Sequence, residues 1–376
     1  MSKMLFYCAI GICIIFLCQV AIGLILPIRC RNNTIKVTWI IFIVALSIIA
    51  FWAEPSVSDD LYKHYKQIDD VCAGRDHSGM VVWRILLYGI GKTGEKGFLP
   101  ALTVLIFGAS IYCLISNRMK SNKLSMRTFS IYIIILFGGC SIFIIISGIR
   151  NVLVFSIWIL AYYKLYKEGH KTLYYLACIS LCLIHYSIIF VLAVQGVYEL
   201  VKKKNKSIKI VLLLIMGLAP SVIIWLGQVL AKYSNLYVQT LVGKVDGYAG
   251  EEAYYKVNIW YIFLPISTLA IFIILLKVRK CKFIDNDDWG LISLYTYITL
   301  TVSITFPVLL DRNSMLICMM FCPIVDALYK SRKKIGLLMN ILVVTCGIRA
   351  LFYFNAMISH MKFYGIDFYH LLGRGS

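Results

Sequence analysis

Hydrophobic runs of about 15 to 25 residues recur along the whole chain, each long enough to cross a bilayer core of about 30 Å as a helix. In hydrocarbon no water satisfies the backbone, so such segments take the helical form, whose hydrogen bonds close within the segment. The runs fall at 4–26, 37–53, 98–116, 129–146, 151–163, 172–200, 208–229, 259–276, 289–309, 314–329 and 335–353. Of 376 residues, 60% are hydrophobic and 15% charged, and the mean hydropathy of +0.82 lies far outside the soluble globular range. The expectation is an all-α, polytopic integral membrane protein, a single membrane domain over 1–376, with no soluble domain able to fold alone. The first run is too long for a typical signal-peptide core and no small-residue cleavage site follows it, so it is expected to remain as an anchor.

Orientation follows from the basic residues, because short cytoplasmic loops carry the excess of Lys and Arg. Links at 29–36, 118–127, 164–171, 202–209, 277–282 and 330–334 hold most of the 38 Lys and Arg. Acidic residues gather elsewhere: Glu54, Asp59, Asp60, Asp69, Asp70, Asp76 and Glu95 in a loop over 54–97, and Asp246, Glu251 and Glu252 in a loop over 230–257. Both loops are expected on the external side. The net charge of +20 then reads as an orientation signal and an affinity for anionic bilayer lipid, rather than a nucleic-acid footprint.

One conflict in this map is informative. The links at 164–171 and 202–209 both read as cytoplasmic, yet only the run 172–200 lies between them. A broken or re-entrant helical hairpin with its turn near His185 resolves the conflict, placing His185, Tyr186 and Ser187 at the external end and giving about 11 to 12 crossings in total. A single long tilted helix is the plainer alternative.

Ionisable residues at membrane depth usually mark a site. Arg150 and Asn151 follow Ser147, Gly148 and Ile149 at the start of a short helix; Asp311 and Arg312 fall in an expected external link; Arg349 is expected about one turn from the external end of the last run. Arginine keeps its charge in any environment and offers a planar fork of donors suited to phosphate or pyrophosphate oxygens. The plainer reading has each arginine snorkelling to headgroups or pairing with an acid such as Asp311. In the 54–97 loop, Asp59 and Tyr62 have helical i, i+3 spacing, and carboxylates with tyrosines suit sugar hydroxyls. Ordinary capping by Asp59 is the alternative. The apolar stretch 80–90 contains Arg84 and is too short to span, so it reads as an interfacial helix. Cysteines lie mostly within hydrophobic runs, and there is no zinc-ligand spacing, phosphate-binding glycine loop or GxSxG. The expected chemistry needs neither metal nor nucleotide, and no cofactor is implied.

The Ser147-to-Asn151 helix start, the basic turn and then Leu183, Ile184, His185, Tyr186 and Ser187 resemble the EpsG family of bacterial polysaccharide proteins. The Asp59, Asp60, Tyr62, Tyr65 cluster and the Asp311, Arg312 pair resemble that family too, and more broadly the chain is similar to Wzy polymerases of O-antigen, capsule and common-antigen synthesis. Asn151 departs from the Gln favoured after the arginine in that family. The resemblance implies a glycosyltransferase of the bacterial inner membrane with its site facing the periplasm. It would move a growing glycan from undecaprenyl pyrophosphate onto a lipid-linked repeat unit by inverting displacement. In that reading His185 is the base, with Asp59 or Asp60 competing for the role. Arg150 is the principal pyrophosphate ligand, Asn151, Arg312 and Arg349 join it, and Tyr62 and Tyr186 contact substrate. Bilayer lipid surrounds the protein, and a chain-length regulator is a partner by family analogy. An O-antigen ligase, a flippase of lipid-linked oligosaccharide and a scaffold for export proteins are the competing classes.

Overall fold

The computed structural model describes residues 2–25, 32–57, 59–75, 80–121, 125–202, 263–278, 286–303, 307–321, 324–325 and 336–363. Among these the chain is all-α, with 14 helices and one two-stranded sheet. In chain order the helices are α1 (Ser2–Ile25), α2 (Asn32–Phe51), α3 (Asp60–Cys72), α4 (Val81–Lys92), α5 (Phe98–Ser121), α6 (Met126–Gly139) and α7 (Ile142–Ser147). There follow α8 (Ile149–Ala161), α9 (Lys171–Cys182), α10 (Ser187–Val201), α11 (Phe263–Val278), α12 (Asn286–Ser303), α13 (Pro307–Met320) and α14 (Gly336–His360). Stretches Lys3–Ile25, Asn33–Phe51, Phe98–Asn117 and Gly336–Met357 are each long and apolar enough to cross a membrane, as in a multi-pass membrane protein. The expected span at 208–229 and the loop 230–257 lie outside the described residues.

The chain divides into two compact units, Met1–Phe190 with Ala350–Ser376, and Val191–Arg349. In the first, α2 packs on α1 and α5, and α5 in turn on α8. Between membrane helices, close approach of backbones and interhelical hydrogen bonds supply much of the attraction. Both occur here: the Trp39 indole N–H donates to the Gly108 carbonyl (2.9 Å), and the Ser47 hydroxyl to that of Ala101 (3.0 Å). A Cβ at Gly108 would fall 2.7 Å from Ile43 Cγ1 and 3.0 Å from Ile43 Cβ, so glycine is what lets the α2 side chain seat against α5.

The 54–97 segment carries two short amphipathic helices, each burying one stripe: Leu61, His64 and Ile68 in α3, and Trp83, Leu87 and Ile90 in α4. The two pack on each other. A strand precedes them that the sequence pattern does not announce. β1 (Ala53–Pro55) pairs antiparallel with β2 (Met361–Phe363), Glu54 opposite Lys362, and the Tyr65 hydroxyl donates to the Ala53 carbonyl at 3.2 Å. The segment's start is thereby tied to the chain beyond α14.

Three expected boundaries are corrected. The run 129–146 is not one helix: α6 stops at Gly139, and Ser141 restarts the chain as the N-cap of α7, its hydroxyl accepting from the Ile144 N–H at 3.2 Å. At 1.5 Å per residue, the 14 residues of α6 reach about 21 Å, short of a bilayer core. Asp311 and Arg312 lie inside α13 rather than in a link, because Pro307 occupies the first helical position, where its fixed φ and missing N–H cost nothing. Arg349 lies near the middle of α14, not near its end, since that helix continues to His360. The run 172–200 does break: helix ends at Cys182 and resumes at Ser187.

In the second unit, α12 packs on α11 and α13. The Trp289 indole donates to the Leu275 carbonyl (2.8 Å), and the buried Tyr295 hydroxyl donates to Asn313 Oδ1 (2.5 Å). If the α2–α5 seat is as tight as the geometry requires, Gly108→Leu lowers stability in detergent by about 1–3 kcal/mol, as overpacking does. Gly11→Leu, at a position open on every side, leaves the melting temperature within about 2 °C.

Candidate functional site

Gly148, with φ −80° and ψ 41°, separates α7 from α8, and Arg150 is the second residue of α8. Ile149, Val152 and Leu153 around it are buried, so the side chain leaves the helix on its half-buried side. A cation in the first turn adds to the positive end of the helix dipole. That local field repels other cations and favours an anion. The guanidinium reaches α4: Nη1 lies 3.8 Å from Met80 Sδ, and Cζ is 5.9 Å from the centroid of the Trp83 ring, within cation–π range.

Trp83 has His64 as a second neighbour, the rings meeting edge to face at 5.3 Å. Gln67 Oε1 accepts from the Trp83 indole N–H at 3.4 Å and lies 3.2 Å from His64 Nδ1. An amide oxygen only accepts, so Nδ1 carries the imidazole proton and the lone pair sits on Nε2, which has no partner among the described residues. Burial, then the charge of Arg150, outweigh the opposing pull of Gln67 and Asp60 and lower the His64 pKa from 6.5 to about 4. The ring is neutral at physiological pH.

Trp83 also meets the helix break. Its backbone N–H donates to the Leu183 carbonyl at 3.4 Å, so a donor from the first turn of α4 satisfies an acceptor at the end of α9. Two residues on, His185 Nδ1 accepts from the Ser187 N–H at 3.1 Å and lies 2.8 Å from the Ser187 hydroxyl. The His185 ring stacks on Tyr186 at 4.4 Å. With the lone pair of Nδ1 engaged, the proton belongs on Nε2. His185 therefore caps the start of α10, and in this tautomer its outer nitrogen is a donor.

The other expected site residues are distributed. Asn151 Oδ1 is buried beside Arg150, with no hydrogen-bond partner among the described residues. Asp59 is buried, its carboxylate accepting from the Ser56 N–H at 3.0 Å. Asp60 is exposed and pairs with Lys63 at 2.9 Å. Tyr62 is 38% exposed. Arg312 and Arg349 belong to the second unit. There Arg349, only 3% exposed, meets Asp311 Oδ1 at 3.4 Å.

An open apolar groove of about 450 Å³ runs along α1, α2 and α5, lined by Leu5, Phe51, Trp52, Phe98 and Leu105, with Ile90 of α4 also in its wall. Helix α4 thus touches Arg150 through Trp83 and the groove through Ile90, roughly 10 Å further along its axis. No protein family, no curated protein and no solved structure matches the chain.

His64, Gln67 and Trp83 were not expected as site residues. The signal was present in outline: His64 lies at i+3 from Leu61 and four before Ile68, a polar residue on the buried stripe of an amphipathic helix.

Two outcomes test this geometry. Above pH 6.5 His64 is neutral folded or unfolded; between 6.5 and 4 the unfolded chain takes a proton that the folded one refuses. Stability therefore falls as pH falls through this window, by on the order of 3 kcal/mol. Melting curves of wild type and His64→Asn are expected to diverge in slope there and run parallel above pH 7. In the second unit, Asp311→Ala leaves Arg349 without its carboxylate and costs about 3–5 kcal/mol, whereas Asp311→Ala with Arg349→Met recovers most of the loss.

Proposed function

We propose that this chain is a membrane glycosyltransferase of the Wzy/EpsG type, a polymerase that moves a growing glycan from undecaprenyl pyrophosphate onto a lipid-linked repeat unit. In this reading the chain crosses the inner membrane about 11 to 12 times, with the break at His185 as the turn of a re-entrant hairpin. The 54–97 segment and Arg150 face the periplasm, and a chain-length regulator is a partner.

The observation that carries the reading is Arg150: a half-buried arginine in the first turn of α8, on the Trp83 ring, with an apolar groove to which the same helix α4 contributes Ile90. A lipid pyrophosphate has the two parts this arrangement suits, an anionic head for the guanidinium and a hydrocarbon chain for the groove. As the glycosidic bond to pyrophosphate breaks, negative charge builds on the departing oxygen. A fixed cation in a poorly hydrated place stabilises that charge more than the ground state. The diphosphate is a good leaving group once its charge is met, so the residues need supply only position, charge and a route for one proton. Asn151, next in sequence, has a buried amide oxygen lacking a partner among the described residues, an acceptor that substrate would engage only if binding opens the start of α8. His185 holds the break in shape through its cap on α10. Asp59, tied into its turn, shapes the entry to α3.

The test is a glycan ladder assay with purified protein and its lipid-pyrophosphate-linked repeat unit. Arg150→Ala is expected to slow chain growth by about 10²–10³-fold, and Arg150→Lys to fall between, because an ammonium cannot make the bidentate contact. His185→Asn, whose amide oxygen can still cap Ser187, keeps a rate within several-fold of wild type. A ladder indifferent to Arg150→Ala would exclude this site. Lipid-linked sugar crossing a proteoliposome bilayer with no chain growth would make the protein a transporter.

A further inference from the structure

An inverting transfer releases a proton from the acceptor hydroxyl, and the residues expected to take it are otherwise engaged. The lone pair of His185 Nδ1 caps Ser187, Asp59 accepts from Ser56, and Asp60 pairs with Lys63 at the surface. His64 differs from all three. Its Nδ1–H is held by Gln67, which leaves the Nε2 lone pair outward, and its ring meets edge to face the Trp83 ring on which Arg150 lies.

We propose that His64 Nε2 accepts the proton of the acceptor sugar hydroxyl, and that donor pyrophosphate bound at Arg150 is what makes it basic enough to do so. This rests on the polymerase reading. In the step, the acceptor oxygen bonds to the anomeric carbon of the donor sugar as the bond from that carbon to the pyrophosphate oxygen breaks. The bonding pair leaves on the diphosphate, beside Arg150. The hydroxyl proton passes to Nε2, giving an imidazolium that returns it to water or to the departed diphosphate.

The switch follows from electrostatics. Without donor, burial and the Arg150 charge both disfavour a proton on His64. A diphosphate at Arg150 more than cancels that charge, so proton affinity rises when substrate is in place. The other charged neighbours do not change on binding: on α3 itself, Asp60 favours the proton and Lys63 opposes it. Helix α7 contributes no ionisable residue, Arg84 and Lys92 of α4 are exposed, and Glu54 of β1 acts on Tyr65. The consequence is a base that is weak in the resting enzyme and strengthened in the donor complex.

The experiment uses the full chain in detergent or nanodiscs with its lipid-pyrophosphate repeat unit, comparing wild type, Arg150→Ala, His64→Gln and His64→Asn. Asn retains a donor near the Nδ1 position for Gln67 but has no basic nitrogen. Melting temperatures at pH 8 establish that each variant is folded. The expected result is a loss of about 10²–10⁴ in kcat for His64→Asn with KM changed by only a few-fold, the range for losing a general base. The residual rate of that variant should climb with pH where wild type is flat. For wild type the acidic limb of kcat should lie at higher pH than that of kcat/KM, because kcat reports the donor complex and kcat/KM the free enzyme. A folded His64→Asn with wild-type kcat, while Arg150→Ala is inactive, overturns the base and leaves the polymerase reading standing. Coincident acidic limbs overturn the switch. A wild-type protein that builds no ladder overturns the polymerase reading and this assignment together.

Discussion

A helix that stops within an apolar stretch leaves carbonyls with nothing to accept from, and in hydrocarbon that costs several kcal/mol for each group. At the end of α9 the Leu183 carbonyl is met by the backbone N–H of Trp83, itself one of the orphan donors in the first turn of α4. One hydrogen bond answers two deficits. Because it fixes α4 by its backbone, the side chain of Trp83 is free to serve as a wall, with Arg150 on its ring and His64 at its edge. The helix break, the cation and the buried imidazole are all positioned through this residue.

The two buried histidines illustrate how a neighbour decides what an imidazole can do. His185 faces a backbone N–H and must present a lone pair to it, so its proton is driven to the outer nitrogen. His64 faces an amide oxygen and must present a proton, so its lone pair is driven outward. The residue type is the same, but the first caps a helix through its Nδ1 lone pair and the second donates its Nδ1–H to an amide oxygen. Only the partners distinguish them.

The arginines divide in a similar way. Arg349 lies in the middle of a long helix and meets Asp311, the arrangement that keeps a buried guanidinium tolerable. Arg150 lies at a helix start, near an aromatic face, a thioether and a neutral histidine. The thioether and the aromatic face are polarisable and accept the guanidinium by dispersion and cation–π attraction.

Much of the membrane character was legible in the chain. The runs at 4–26, 37–53 and 98–116 became α1, α2 and α5 because unbroken hydrophobicity over such a length admits little but a helix. The break near His185 was readable too, from two basic links that one span could not separate. The interruption at Cys140 and Ser141 was not: apolar residues continue across it, and what ends α6 is a local turn closed by a serine cap. The strand at Ala53–Pro55 depends on a partner some 300 residues away in sequence, which no local pattern encodes. Periodicity and charge balance act locally along the chain, so sequence by itself determined that this is a helical protein with segments long and apolar enough to cross a membrane and an arginine at the start of one short helix. Which groups face that arginine, which histidine keeps a lone pair and which arginine meets a carboxylate were decided by tertiary structure, because hydrogen bonds and buried charges depend on distances between segments far apart in the chain.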